Sequence, residues 1–326
     1  MNKPFFEKEE AKGILDYAIK KYGKKPNVLG IALGTKYQGG RPTDQQGLTF
    51  FVSKKMPPKN LSGTQLPKFI YGRFPDGRIN YQHKIITDVL ETGEIKLACC
   101  AGSAIEVGNG TLNHGTITLL FKNKENSDSD NYYIITCSHV IGKFHKNYIS
   151  TGTESIQYPD TNIEIAEVIA RTGYIKGTRN IEYDIALARV NIVNYESTGY
   201  KLADMDCKLD EEDVIFTGYY SRNKIKPGER FDCRMGKSKP KNNKPVRHYE
   251  GILPLPKWGE SYNFNNLFSI EMKSRGGDSG GIIYHDDNVV GILVANSESG
   301  FSFFQPLEDA INYIGSALNG LAIRVF

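Results

Sequence analysis

The sequence predicts a mainly β protein: a small α+β unit over residues 1–97, then a larger strand-rich unit over residues 98–326 that ends in a helix. Three observations carry this reading. Short apolar runs recur between turn signals from about residue 98 onward. Helical apolar stripes stand at the two ends, residues 5–22 and 306–318. Composition favours strands and turns, with 33 glycines, 19 tyrosines and 16 phenylalanines against 1 tryptophan.

In residues 5–22, Phe6, Ile14, Leu15, Tyr17, Ala18 and Ile19 form an apolar stripe opposite Lys and Glu, and Gly23 is placed to stop the helix. Val28–Leu33 and Leu48–Val52 read as strands on either side of the Gly39-Gly40-Arg41-Pro42 turn region. Residues 85–90 form a further short apolar element. Beyond Leu97 the predicted strands are 115–121, 132–136, 163–170, 184–190, 213–218, 267–272, 281–284 and 289–294. In the run Asp184-Ile185-Ala186-Leu187-Ala188-Arg189-Val190, Ile185 and Leu187 share a face with period two. Many short strands at this spacing point to barrels or a sandwich. Pro306 suits a helical first turn, and Leu307, Ala310, Ile311 and Ile314 line one side of the helix it opens.

Bulk composition narrows the classes of function. The net charge of +4 does not point to a nucleic-acid partner. Five cysteines, Cys99, Cys100, Cys137, Cys207 and Cys233, form neither a disulfide framework nor a CxxC zinc motif. No metal or cofactor is expected. No run reaches the ~18 apolar residues of a membrane span, and the start has no signal-peptide core. A cytoplasmic location is the expectation. Residues 222–247 carry ten basic residues against Glu229 and Asp232, and read as a solvated surface loop or as a docking surface for an acidic partner.

The string Gly277-Asp278-Ser279-Gly280-Gly281 is the most informative one. Glycines around a serine permit a sharp turn that brings amide N–H groups near the hydroxyl. Serine is a weak nucleophile and needs an oriented base. Of the six histidines, only His139 directly ends a strongly apolar strand, residues 132–138. Asp184 opens the next well-defined strand, where a carboxylate among apolar neighbours needs a partner such as a histidine N–H. The same string fits the nucleophile elbow of α/β-hydrolases. That fold needs an acid and then a histidine after the serine, and 47 residues with only His285 leave no room for it.

Thr136-Cys137-Ser138-His139-Val140, Asp184-Ile185-Ala186-Leu187 and Gly277-Asp278-Ser279-Gly280-Gly281 resemble, in order and at separations of 45 and 95 residues, the three signature blocks of trypsin-like serine proteases. The resemblance spans about residues 98–326. It implies a chymotrypsin-like double β-barrel whose active site lies in the cleft between barrels. It implies a serine endopeptidase acting on polypeptides, with His139 as base, Asp184 orienting it and Ser279 as nucleophile. The amides of Gly277 and Ser279 would form the oxyanion hole. Residues 86–93, Gly102-Ser103, Gly115-Thr116 and Arg234-Met235-Gly236-Lys237 further resemble a bacterial and plant branch with an added N-terminal domain, which includes the narrow-leaf protein. Lys273, six residues before the serine, stands where the family often places the base of its specificity pocket, which argues against basic substrates. Ile282 replaces a proline or small residue.

The alternative class is a catalytically silent barrel that holds or scaffolds a peptide. If the chain is an intracellular protease it needs restraint, and the N-terminal domain and residues 222–247 are candidate surfaces for a regulatory partner. Residues 98–105 do not resemble the family's activation site, so the turn at Gly277–Ser279 is expected to be ordered without cleavage there.

Overall fold

The computed structural model describes residues 6, 8–38, 41–56, 65–74, 76–97, 105–108, 114–122, 132–141, 149–150, 155–157, 163–172, 180–197, 216–234, 241–257 and 260–317. The predicted N-terminal helix is α1 (Lys8–Tyr22), with acidic Glu9 and Glu10 in its first turn and Lys20 and Lys21 in its last, the arrangement a helix dipole favours. Strands β1 (Val28–Gln38), β2 (Arg41–Val52), β3 (Phe69–Arg73), β4 (Ile79–Glu91) and β5 (Ile95–Leu97) complete the first unit. Ala11, Ile14, Leu15 and Ala18 of α1 pack on Ile31, Leu33, Leu48, Phe50, Ile70 and Ile85 in an apolar cluster that also takes in Ile252.

The first barrel sheet contains β6 (Ile105–Gly108), β7 (His114–Gly115), β8 (Leu119–Lys122), β9 (Tyr132–Thr136), β10 (Ile149–Ser150), β11 (Ser155–Gln157) and β12 (Glu164–Thr172). After β13 (Asn180–Ile181), which pairs elsewhere, β14 (Ala186–Val190) completes it in the order β7-β6-β11-β12-β14-β9-β8, with β10 on β12. The second comprises β15 (Gly218–Tyr219), β16 (Arg230–Arg234), β17 (Lys241–Lys257), β18 (Glu260–Phe264), β19 (Phe268–Glu271), β20 (Ile282–His285), β21 (Asn288–Ser297) and β22 (Phe301–Pro306). Short helices α2 (Ser138–Ile141) and α3 (Ile192–Ser197) come after β9 and β14, and α4 (Leu307–Ala317) closes the described chain. No helix among the described residues is long and apolar enough to cross a membrane.

Three differences from the sequence reading have clear causes. The run 115–121 is broken, because the chain leaves the sheet between β7 and β8 so that Thr116 N–H can reach the Ser279 carbonyl at 2.7 Å. Residues 222–247 are not one loop. They include β16 and the start of β17, paired from Arg230↔Pro245 to Cys233↔Lys241, with Phe231, Cys233 and Val246 buried. Its cations are partly consumed inside the protein: Arg222 bonds Glu250 at 2.7 Å and Asp309 at 3.0 Å, and the Arg247 guanidinium lies 3.1 Å from the Tyr37 ring centroid. Third, the N-terminal strands are continuous with the second barrel's sheet, since β1 pairs with β17 (Ile31↔Ile252) and β5 with β21 (Ala295↔Leu97).

His248 sits in that seam. It is buried, its Nδ1 lies 2.7 Å from Ser269 Oγ, and its ring meets Phe51 edge-on at 5.0 Å. Burial, aided by the neighbouring Arg247 charge, pushes its pKa from the ordinary 6.5 down to about 3. The unfolded chain therefore binds a proton here between those values while the folded chain does not. This contribution to stability is complete above about pH 6.5 and declines as pH falls towards 3. We expect unfolding free energy to drop by about 2 kcal/mol from this site between pH 7 and pH 5. Urea unfolding of wild type and His248→Gln at the two pH values checks it: equal losses in both proteins would refute the assignment.

Candidate active site

Strand β9 is flanked by β14 and β8, with Ile135 opposite both Leu187 and Leu119. The β9–β14 pair is antiparallel with Thr136 opposite Ala186. His139 lies three residues past β9, on α2, and Asp184 two residues before β14, so both stand just beyond this paired end and meet there. Adjacency of two strands thus brings together residues 45 apart in the chain. Ser279 comes from the other barrel, on the turn that precedes β20.

The three side chains meet. Asp184 Oδ1 accepts from the His139 backbone N–H at 2.9 Å, and Asp184 Oδ2 bonds His139 Nδ1. His139 Nε2 lies 2.8 Å from Ser279 Oγ. Each of the three residues has 0% solvent exposure, so a bulky reagent reaches Ser279 only after a local opening. Cys137 is the third potential ligand in a group whose donor atoms lie within 4.8 Å of one another, with His139 and Asp184. Its Sγ donates to the Leu293 carbonyl at 3.2 Å, and the other two groups bond each other, so hydrogen bonding already occupies this cluster.

The serine turn is held by Thr116 and Thr136, which the sequence motifs include without pointing to this role. Thr116 donates from its N–H to the Ser279 carbonyl at 2.7 Å and from Oγ1 to the Gly277 carbonyl at 2.9 Å. Thr136 Oγ1 in turn donates to the Thr116 carbonyl at 2.8 Å. The Asp278 carbonyl accepts from Gly281 N–H at 2.7 Å, which turns the Ser279 N–H to the opposite side of that planar peptide. Gly277 has φ +94°, and buried Asp278 caps the turn by accepting from Arg275 N–H at 2.9 Å. In the sequence, Gly280 is the hint of this tight seam between barrels.

Gly280 is required by space as well as by its φ of +89°: a Cβ there would lie 2.0 Å from the Thr116 carbonyl oxygen. Gly280→Ala is expected to destabilise by about 3 kcal/mol and to shift Ser279 relative to His139. Chemical denaturation measures the first effect, and a change under about 0.5 kcal/mol, typical of neutral surface changes, would contradict it.

Lys273 is exposed, between buried Met272 and Ser274. The expected positive charge at a pocket base is therefore a hydrated, screened one. The buried groups here are hydroxyls: Ser302 Oγ donates to the Met272 carbonyl at 2.7 Å and stands 2.7 Å from Ser274 Oγ.

Residues 126–292, just over half of the chain, match the family model of the trypsin-like peptidase domain. The chain belongs to this family. No curated protein matches it in sequence. Among solved structures, this trypsin-like chain is similar to a glutamic acid specific serine protease described as using a histidine triad in substrate binding, at 15% identity, 64% of this chain, 94% of that chain and a TM-score of 0.42. It is also similar to a Nocardiopsis protease (14%, 66% and 95%, TM-score 0.41) and to the chymotrypsin of Cellulomonas bogoriensis (16%, 69% and 97%, TM-score 0.42). The fold is mainly β and chymotrypsin-like, with a C-terminal helix.

Proposed function

We propose that this trypsin-like chain is a serine endopeptidase. The observation that carries the reading is the unbroken hydrogen-bonded series from Asp184 through His139 to Ser279 Oγ. In this mechanism Ser279 Oγ attacks the substrate carbonyl carbon while His139 Nε2 takes its proton. His139 then gives that proton to the leaving amine as the C–N bond breaks, leaving an acyl-enzyme. Water, deprotonated by His139, cleaves the ester and regenerates Ser279. Asp184 holds Nδ1–H and stabilises the imidazolium. The N–H groups of Gly277 and Ser279 stabilise the oxyanion; for Ser279 the Asp278 carbonyl, bonded to Gly281 N–H on the other side of the shared peptide, supports the role.

The reading includes a regulatory role for residues 1–97, whose sheet joins the second barrel through β1 and β17, and a cytoplasmic setting. Its resemblance to the branch with an N-terminal domain rests on residues 86–93 and the shorter motifs. Arg234 is described there, whereas Gly102-Ser103 and residues 235–237 lie outside the described residues, as does most of the 98–105 segment. The turn around Asp278 is closed by the chain's own Arg275 amide, which supports activity without cleavage at 98–105. The test is a fluorophosphonate probe on full-length protein of verified intact mass. Labelling at Ser279 is the expected result. A folded chain that never labels, even after opening by limited proteolysis, would instead be the silent peptide-holding module.

A further inference from the structure

We propose that Gln305 is a positioning residue that holds the acid of the triad through its backbone; the proposal rests on the proteolytic reading of His139, Asp184 and Ser279. Gln305 is fully buried in β22 of the second barrel. Its Oε1 accepts from the Asp184 N–H at 2.7 Å. Its Nε2 donates to the Glu182 carbonyl at 3.3 Å and to the Asn265 carbonyl at 3.4 Å.

The stretch that Gln305 grips is the connection from Ile181, where β13 ends, to Ala186, where β14 begins. It has no ladder of its own to define it. The Asp184 carboxylate is fixed at one end by His139, and the Asp184 backbone is fixed at the other by Gln305. The partners also come from different barrels. His139 and Asp184 belong to the first, whereas Ser279 and Gln305 belong to the second. Gln305 therefore sets the acid–base pair relative to the barrel that carries the nucleophile. Thr116 does the same in reverse, reaching from the first barrel to the serine turn. Without Gln305 the buried Asp184 N–H loses its partner and the Asn265 and Glu182 carbonyls each lose a donor, although Glu182 keeps the Asn266 amide at 3.1 Å. The segment around Asp184 is then free to move to satisfy its N–H. A displacement of about 1 Å in such a constellation costs on the order of 100-fold in rate.

The test uses full-length protein and a fluorophosphonate–rhodamine probe, with maximal inactivation rate and half-saturating probe concentration measured separately. Gln305→Met keeps the volume and removes all three hydrogen bonds. We expect its maximal rate to fall about 10- to 100-fold, with half-saturation within about twofold of wild type. Gln305→Asn withdraws the same amide by one methylene, should fall in the same direction, and serves if the methionine variant does not fold. A second readout does not depend on activity: the downfield proton NMR signal of the His139 Nδ1–H···Asp184 bond should shift or vanish in the Gln305 variants and persist in Ser279→Ala. A folded Gln305 variant with wild-type rate and an unmoved signal overturns the proposal. A wild type that never labels, but whose signal Gln305→Met displaces, sinks the proteolytic reading and leaves the positioning role standing.

Discussion

Ser279→Ala should abolish nearly all peptide and ester hydrolysis, with a loss on the order of 10⁴ to 10⁶ in rate. The hydroxyl is the only atom in the proposed mechanism that forms a covalent bond to substrate. Its removal leaves His139 and Asp184 paired with nothing to deprotonate. The fold should persist, because Ser279 is held through its carbonyl by Thr116 N–H at 2.7 Å, which the substitution leaves alone. What is lost is one hydrogen bond of the Oγ, to His139 Nε2 at 2.8 Å, worth about 1 kcal/mol. Hydrolysis of a fluorescent casein and of a nitrophenyl ester, beside the thermal midpoint of each protein, measures both parts. Residual activity within about tenfold of wild type, a deficit of only about 1.4 kcal/mol, would remove Ser279 from the role of nucleophile.

Asp184→Asn should cost about 10⁴ in rate while preserving shape. The wild-type carboxylate accepts twice from His139, from the backbone N–H at Oδ1 and from Nδ1 at Oδ2. An asparagine has one carbonyl oxygen and one amide nitrogen. If the oxygen stays on the backbone N–H, the NH₂ group faces Nδ1 and requires it to accept. The ring proton then sits on Nε2, where it blocks transfer from Ser279. The variant also loses the negative charge that stabilises the imidazolium. Steady-state rates at saturating substrate check this, and a loss below about tenfold would show that Asp184 does not orient the base.

Much of the fold is legible because strands with one buried face carry their own periodicity. The apolar run at Tyr132–Thr136 has the same ends as the strand, and the apolar run in β14 buries Ala186, Leu187, Ala188 and Val190 while leaving Arg189 outside. The 17-residue β17 is hidden in the sequence because prolines 245, 254 and 256 and several lysines obscure its pattern. Its identity is set by partners on both sides: β16 at Pro245, β19 at Val246 and β1 at Ile252. Arg222 looks like one of the surface cations for the same reason, since Glu250 and Asp309, its partners, are 28 and 87 residues away.

The sequence by itself determined the mainly β class, the two terminal helices and the three residues to watch. His139 and Ser279 each stand in a short local context, a strand end or a glycine frame, that constrains the chain whatever surrounds it, whereas Asp184, expected to open a strand, lies in the connection two residues before β14. Only the tertiary structure decided that their atoms meet, that the site is closed to solvent, and that β1 extends the second barrel's sheet. It alone revealed the clasps at Thr116 and Gln305, which act across 161 and 121 residues of sequence. A threonine or glutamine carries no signal of such a role, because its hydrogen bonds are defined by where another part of the chain comes to rest.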